Sequence, residues 1–415
     1  MDRLSILNTR QNEAVENWSG IGTINAAVGF GKNFTAFKCI NKAYSKGWLE
    51  KGDSIWFFAE TNAREDTLWE ELSKFKKLTK VDLRKLFKWS FYCYQSLPVG
   101  ERSLDIYDEI HDALTPKFKT SIETGAKLKI GLSATIPKNS NLYKDEIAFN
   151  EVGKVYQSKK ELEDGDDSRI NKGQLLNQLC PICFTYSLEK GIEEGILAPF
   201  QTTIIEHTLE RKSKNIKIWK SKPGLGSEED YYNKRAKMKS IWSLPFYRKQ
   251  TLGKEMSQFL WELPSKVEIV KNLLTEIEGK TIVFGTRLEH LKLITPNVVD
   301  GKNYKNLVEE FNTDKIDIIA SSKKLKQGIT LQGVENCVVV SYFSTFNDII
   351  QQLGRVVRYT EGKLANLYII VTLNTFEEKW LEKMQEIYDE KGKLESKLNL
   401  NIKYYISSKT YLING

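Results

Sequence analysis

Residues 22–37 read GTINAAVGFGKNFTAF. A β-branched apolar run enters a glycine-rich turn, and a lysine opens an amphipathic stretch, FTAFKCINKAYSKGW. This order predicts strand, phosphate-binding loop and helix. Gly29 and Gly31 let the backbone approach a ligand closely, and the N–H groups at a helix start suit polyphosphate oxygens. Lys32 is positioned in sequence to neutralise β- and γ-phosphates. Asn33 stands where a Ser or Thr is expected. Glycine-rich strand-to-helix turns also serve packing alone, so a second element is needed.

That element is SLDIYDEIHDAL, residues 103–114. An apolar strand runs into Asp108 and Glu109, with His111 two residues on. At the C-terminal edge of a strand beside the phosphate loop, Asp108 can hold Mg²⁺ and Glu109 can orient and deprotonate a water. Alone, DEIH also fits a solvated loop. Around these motifs SIWFFAE, LFKWSFYCY and KLKIGLSAT recur with helical or polar spacers, as buried parallel strands do. From about residue 263 a second series follows: SKVEIVKNLLTEIEG, KTIVFGT, YKNLVEEFNTD, KIDIIASS, NCVVVSYF, NDIIQQLGRVVRY and ANLYIIVTL. The fold class is therefore α/β, with doubly wound parallel-sheet domains in tandem. The expected bounds are 1–210 for the first domain, with a polar insertion near 138–173, and 211–262 for a basic connector. The second domain takes 263–415 and ends in a helix packed on it.

The chain has 415 residues, 40% hydrophobic and 28% charged. No segment approaches the roughly 18 apolar residues of a membrane span, and the N-terminus lacks a signal peptide's apolar core. These features exclude a helical membrane protein and suggest the cytoplasm. Five cysteines without a framework spacing suit a reducing compartment. Cys180 and Cys183 form a CPIC pair with no second CxxC, which favours buried thiols over zinc. Net charge is +8, and residues 211–254 hold 13 Lys or Arg against three acids. Trp219, Tyr231, Tyr232, Trp242, Phe246 and Tyr247 interleave with that charge, including Lys234 and Arg235. The pattern fits phosphate contacts plus base stacking; it fits equally a solvated linker whose aromatics pack inward.

Taken together, the motifs resemble a superfamily 2 helicase of the DExH type, an ATP-driven nucleic-acid motor with two RecA-like domains. RQNEAV (10–15) resembles the adenine-reading segment and puts Gln11 near the base. AAVGFGKN matches the phosphate loop except at Asn33. FFAETNARE and YQSL lie where the family contacts nucleic acid, implicating Thr61, Arg64 and Tyr94. DEIH is the hydrolytic box. SAT, with Ser133 and Thr135, resembles the segment coupling hydrolysis to movement, and His111 resembles the residue coupling the box to motif six. TIVFGTRLEHL (281–291) resembles motif four, with Arg287. ASSKKLKQGITLQGV (320–334) resembles motif five around Gly328, with Gln327 and Thr330 where acids are common. QQLGRVVR (351–358) fits Q-x-x-G-R-x-x-R through Gln351, Gly354, Arg355 and Arg358. By this resemblance Arg358 is the arginine finger, with Arg355 beside it.

The resemblance implies ATP and Mg²⁺ as cofactors, with Asp108 and Asn33 on the metal, and a monomer acting on single-stranded, forked or duplex DNA. RNA is the alternative partner. The favoured reading is an ATP-dependent DNA helicase. A duplex translocase or branch-migration motor that never separates strands is the second reading. A nucleic-acid-binding protein with an impaired ATPase, supported by Asn33, is the third.

Overall fold

A computed structural model of the chain describes residues 2–59, 63–96, 98, 100–114, 120–134, 172–218, 224–300, 303–322, 331–341, 364–379 and 401–405. The expected insertion near 138–173 falls almost wholly outside them, as do the QQLGRVVR stretch and residues 323–330 of motif five. The chain divides between Leu197 and Ala198.

The first unit is built on a parallel sheet in the order β3-β2-β4-β5-β1-β6. Its strands are β1 (Ile21–Ala26), β2 (Ser54–Ala59), β3 (Lys88–Cys93), β4 (Leu104–Asp108), β5 (Leu128–Ser133) and β6 (Ile182–Tyr186). β4 is buried at every position, so it reads as an unbroken apolar run and not an alternation. The helix Arg3–Asn17 is capped by Asp2, whose side chain accepts from Ser5 N. It buries Gln11, Ala14 and Val15, spaced to share one face. Trp18, Phe37, Ile40, Phe57 and Ile130 belong to the core that this helix and Lys32–Ser45 cover. β6 was not expected. Cys180 and Pro181 lead into it: Thr23 donates through N to Pro181 O and through Oγ1 to Cys180 O. The CPIC segment thus docks an edge strand onto β1, with Cys180 fully buried.

The second unit carries a seven-stranded sheet in the order β11-β12-β10-β13-β14-β7-β15. The strands are β7 (Phe200–His207), β10 (Lys280–Phe284), β11 (Val298–Val299), β12 (Ile318–Ser321), β13 (Val334–Val339), β14 (Ala365–Thr372) and β15 (Asn401–Tyr405). Here the expected boundary at residue 210 is corrected. β7 was assigned to the end of the first domain, yet it lies between β14 and β15, paired parallel from Phe200 opposite Ala365 to His207 opposite Thr372. Its apolar pattern predicted a strand but carried no information on which sheet it joins.

The connector expected over 211–262 is folded as part of this second unit. A short ladder, β8 (Ile216–Lys217) with β9 (Leu225–Gly226), precedes the helices Glu228–Lys239 and Phe246–Trp261. Leu209, Tyr232, Met256, Leu260 and Leu263 form a small core beneath them. Both sheets are parallel, as expected for two RecA-like domains in tandem.

Candidate active site

Three loops of the first unit leave the same edge of its sheet. β1 pairs with β5 so that Asn25 lies opposite Ser133, and β4 pairs with β5 so that Asp108 lies opposite Leu132. The phosphate loop after Ala26, Ser133 and the Asp108–Glu109 pair are therefore level with one another. With strands spaced about 4.8 Å apart, β1 and β4 are about 10 Å apart across β5, a gap that suits a bound phosphate chain and its metal.

The glycine loop is shaped by its own protein contacts. Gly29 and Gly31 have φ of 95° and 79°, a region that L side chains avoid. A Cβ on Gly31 would lie 2.8 Å from Gln11 Nε2, and one on Gly29 would lie 2.7 Å from Leu197. Gln11 is buried, and Nε2 donates to Phe30 O at 2.9 Å. Its amide thus braces the loop from behind, which differs from the base contact implied by the resemblance. Lys32 opens the helix Lys32–Ser45 and donates to Ala26 O at 3.2 Å.

Asn33 is 8% exposed. Its Nδ2 donates to Glu71 Oε2 at 2.5 Å, across to the helix Ala63–Thr79. Because a carboxylate can only accept, the amide's orientation follows. Among the described residues, Asn33 Oδ1 is then buried with no hydrogen-bond partner. An amide oxygen with open lone pairs and the Asp108 carboxylate, 6% exposed at the end of β4, are hard oxygen donors of the kind Mg²⁺ takes. The residues present fit that ion. Glu71 went unnoticed in the sequence; a single acid on an amphipathic helix gives no signal.

Glu109 adopts a left-handed backbone at φ 53°, ψ 58°. For a non-glycine residue this costs on the order of 1–2 kcal/mol, strain of the kind held at functional sites. It turns the chain sharply off β4 into Ile110–Ala113 and brings three side chains together. Ser133 Oγ donates to Glu109 Oε2 at 3.3 Å, and His111 Nδ1 lies 2.9 Å from Ser133 Oγ. The hydroxyl has one proton, so when that proton serves Glu109 the His111 Nδ1–H is the donor to Ser133. His111 Nδ1 is also 3.5 Å from Glu109 Oε2. A chain from His111 through Ser133 to Glu109 therefore links the box on β4 to the end of β5.

Two expected nucleic-acid contacts are corrected. Tyr94 is 1% exposed and donates its hydroxyl to Asp108 O at 2.8 Å, so it supports the box from inside the core. Arg235 is 7% exposed, lies over the Tyr231 ring at 3.4 Å and donates to Ile218 O and Glu255. A guanidinium buried to this degree and stacked on Tyr231 is not placed to contact phosphate. Lys234 and Trp242 are exposed, and Arg287 is exposed with Glu262 at 2.9 Å. Thr61, Thr135, Trp219, Gly328, Gln351, Arg355 and Arg358 lie outside the described residues, as does the Arg64 side chain.

Residues 265–360 match the helicase conserved C-terminal domain. The ATP-dependent Type ISP restriction-modification enzyme LlaBIII, solved bound to DNA, aligns over 95% of this chain with TM-score 0.55 and 12% identity; the alignment spans 31% of that enzyme's length. Mss116p bound to ssRNA and AMP-PNP aligns over 94% of this chain and 72% of its own, with TM-score 0.52 and 12% identity. Dbp5 of S. cerevisiae, bound to RNA and ADP BeF3, aligns over 96% of this chain and 90% of its own, with TM-score 0.53 and 11% identity. A sequence search of curated proteins finds no match. The chain has two parallel-sheet α/β domains of the RecA-like fold seen in these structures, and residues 265–360 of the second match the helicase conserved C-terminal domain. Among the described residues no helix is long and apolar enough to cross a membrane.

Proposed function

We propose that this chain is an ATP-dependent motor that moves along or unwinds DNA. The observation carrying the proposal is the Glu109–Ser133–His111 chain, held level with the phosphate loop by the register of β1, β5 and β4. In this reading Lys32 and the loop N–H groups bind the phosphates of ATP, and Glu109 accepts the proton of the attacking water. Asp108 and Asn33 would hold Mg²⁺, which neutralises phosphate charge when bound. Ser133 and His111 report the state of Glu109 to the rest of the motor. Gln351, Arg355 and Arg358 of the second domain supply positive charge and contacts to the transferring phosphate, so turnover requires both domains. Thr61, Arg64, Arg287, Lys234 and Trp242 contact the polynucleotide. The preference for DNA rests on the motif set RQNEAV, GFGK and DEIH, since the matched structures include DNA-bound and RNA-bound proteins alike.

The test is ATP hydrolysis measured in parallel without polynucleotide and with single-stranded, duplex and forked DNA and RNA. Stimulation by DNA is expected. RNA-only stimulation would sink the DNA preference, and no turnover anywhere would sink the motor. Strand displacement then separates a helicase from a duplex translocase. The Asn33–Glu71 contact favours one second reading, a motor throttled at its metal site.

A further inference from the structure

The helices Glu228–Lys239 and Phe246–Trp261 form an antiparallel hairpin. Tyr231 stacks on Phe259 with ring centroids 4.1 Å apart, and Arg235 Nε meets Glu255 Oε2 at 3.3 Å. Its base is tied down. The buried Glu228 carboxylate accepts from Ser265 N, Ser265 Oγ and Glu210 N, while Tyr232 OH accepts from Phe376 N. A capping box of Ser227 and Asp230 starts the first helix.

The far end is different. Within IWSLPFY, residues 241–247, Trp242 is 94% exposed, Tyr247 59%, Ile241 48% and Phe246 45%. Large apolar side chains left exposed together at one tip mark an interaction site. From Tyr231 to Lys254 the sequence has seven Lys or Arg and no Asp or Glu. Two of those cations frame the tip: Lys249 Nζ donates to Trp242 O at 3.3 Å, and the Arg248 guanidinium lies 5.5 Å from the Tyr247 ring centroid.

We propose that this tip is a base-stacking contact for single-stranded nucleic acid, with Trp242 and Tyr247 taking base faces and Arg248 and Lys249 taking phosphates. Aromatic faces among cations match that polymer, whose bases are flat and whose backbone is anionic. A protein partner would have to bring both an apolar face and a cluster of acids. The inference rests on the nucleic-acid reading above and narrows it from a whole basic segment to four residues.

The experiment uses the full chain without nucleotide. Fluorescence anisotropy follows labelled oligo-dT and an abasic oligonucleotide of equal length, with wild type, Trp242→Ala and the Arg248→Gln/Lys249→Gln double variant. Trp242→Ala is expected to weaken oligo-dT binding about tenfold and leave abasic binding nearly unchanged, since stacking needs a base. The double variant is expected to flatten the salt dependence on both. Unchanged oligo-dT affinity in Trp242→Ala, or equal losses on both polymers, would overturn the stacking contact. So would light scattering that shows a dimer abolished by Trp242→Ala, which would assign the tip to a second copy. Because these arms need no turnover, a lost stacking effect beside intact DNA-stimulated ATPase rejects this inference alone.

Discussion

Asn33 Nδ2 donates to Glu71 Oε2 at 2.5 Å, and the other end of the same amide, Oδ1, is buried without a partner among the described residues. An unmatched buried acceptor costs about 1–3 kcal/mol, and the contact holds the side chain to a neighbouring helix. If Asn33 throttles the motor, Asn33→Thr restores a small hydroxyl at the metal and raises kcat several-fold while lowering the Mg²⁺ concentration for half-maximal rate. Glu71→Gln, which weakens the hold on the amide, should shift the Mg²⁺ dependence alone of nucleotide binding followed by a fluorescent ATP analogue. Equal turnover and equal Mg²⁺ dependence in both variants would show that the metal is held adequately as the chain stands.

Ser133 sits between His111 and Glu109. Ser133→Ala removes the relay without touching either end, so the rate without polynucleotide should hold within a few-fold. The stimulation by DNA should fall towards one. A variant that loses both rates in proportion would place Ser133 in the hydrolytic step itself.

Tyr94 separates a structural role from a binding one. Tyr94→Phe deletes the hydroxyl bonded to Asp108 O and should destabilise the first domain by about 1 kcal/mol, with a drop in kcat as the box loosens. Nucleic-acid affinity should not change. Weakened DNA binding at unaltered thermal stability would return Tyr94 to the polynucleotide surface.

His207 gives the second domain a pH dependence. Burial, and then the nearby Lys266 cation, push its pKa down from 6.5 to about 3. Nδ1 donates to Thr208 O, so Nε2 accepts from Thr372 Oγ1 at 2.9 Å in the neutral ring. Above pH 6.5 the imidazole is neutral both folded and unfolded, and it contributes no pH slope. Below that, the unfolded chain takes up a proton that the folded chain refuses, so stability falls as pH drops from 6.5 towards 3, by up to about 1.4 kcal/mol per pH unit. The thermal midpoint should therefore fall more between pH 7.5 and 5.5 in wild type than in His207→Gln. Parallel losses would mean that His207 takes up its proton in the folded state as readily as in the unfolded one.

Much of the fold was legible because buried parallel strands announce themselves as apolar runs, as in IWFF, LDIY and KTIVF. The hidden parts were the pairings that run far along the chain. β7 looks like the next strand of the first sheet, yet its partner Ala365–Thr372 lies more than 150 residues away. β6 was masked by a cysteine pair that reads as chemistry before it reads as an edge strand. The basic segment posed the same difficulty within one helix: Tyr232 faces the core and Lys234 faces solvent, while Arg235, apt for phosphate by type, is buried.

By itself the sequence determined the glycine-rich strand-to-helix turn, the carboxylate pair and the order of the elements, since these rest on local spacing, glycine content and hydrophobic pattern. Tertiary structure alone decided that Glu109, Ser133 and His111 meet, that Gln11 braces the loop, and that Asn33 leans on Glu71. Each of those contacts joins residues from separate helices, strands or loops. Their distances depend on strand register and helix packing, which no short stretch of residues encodes.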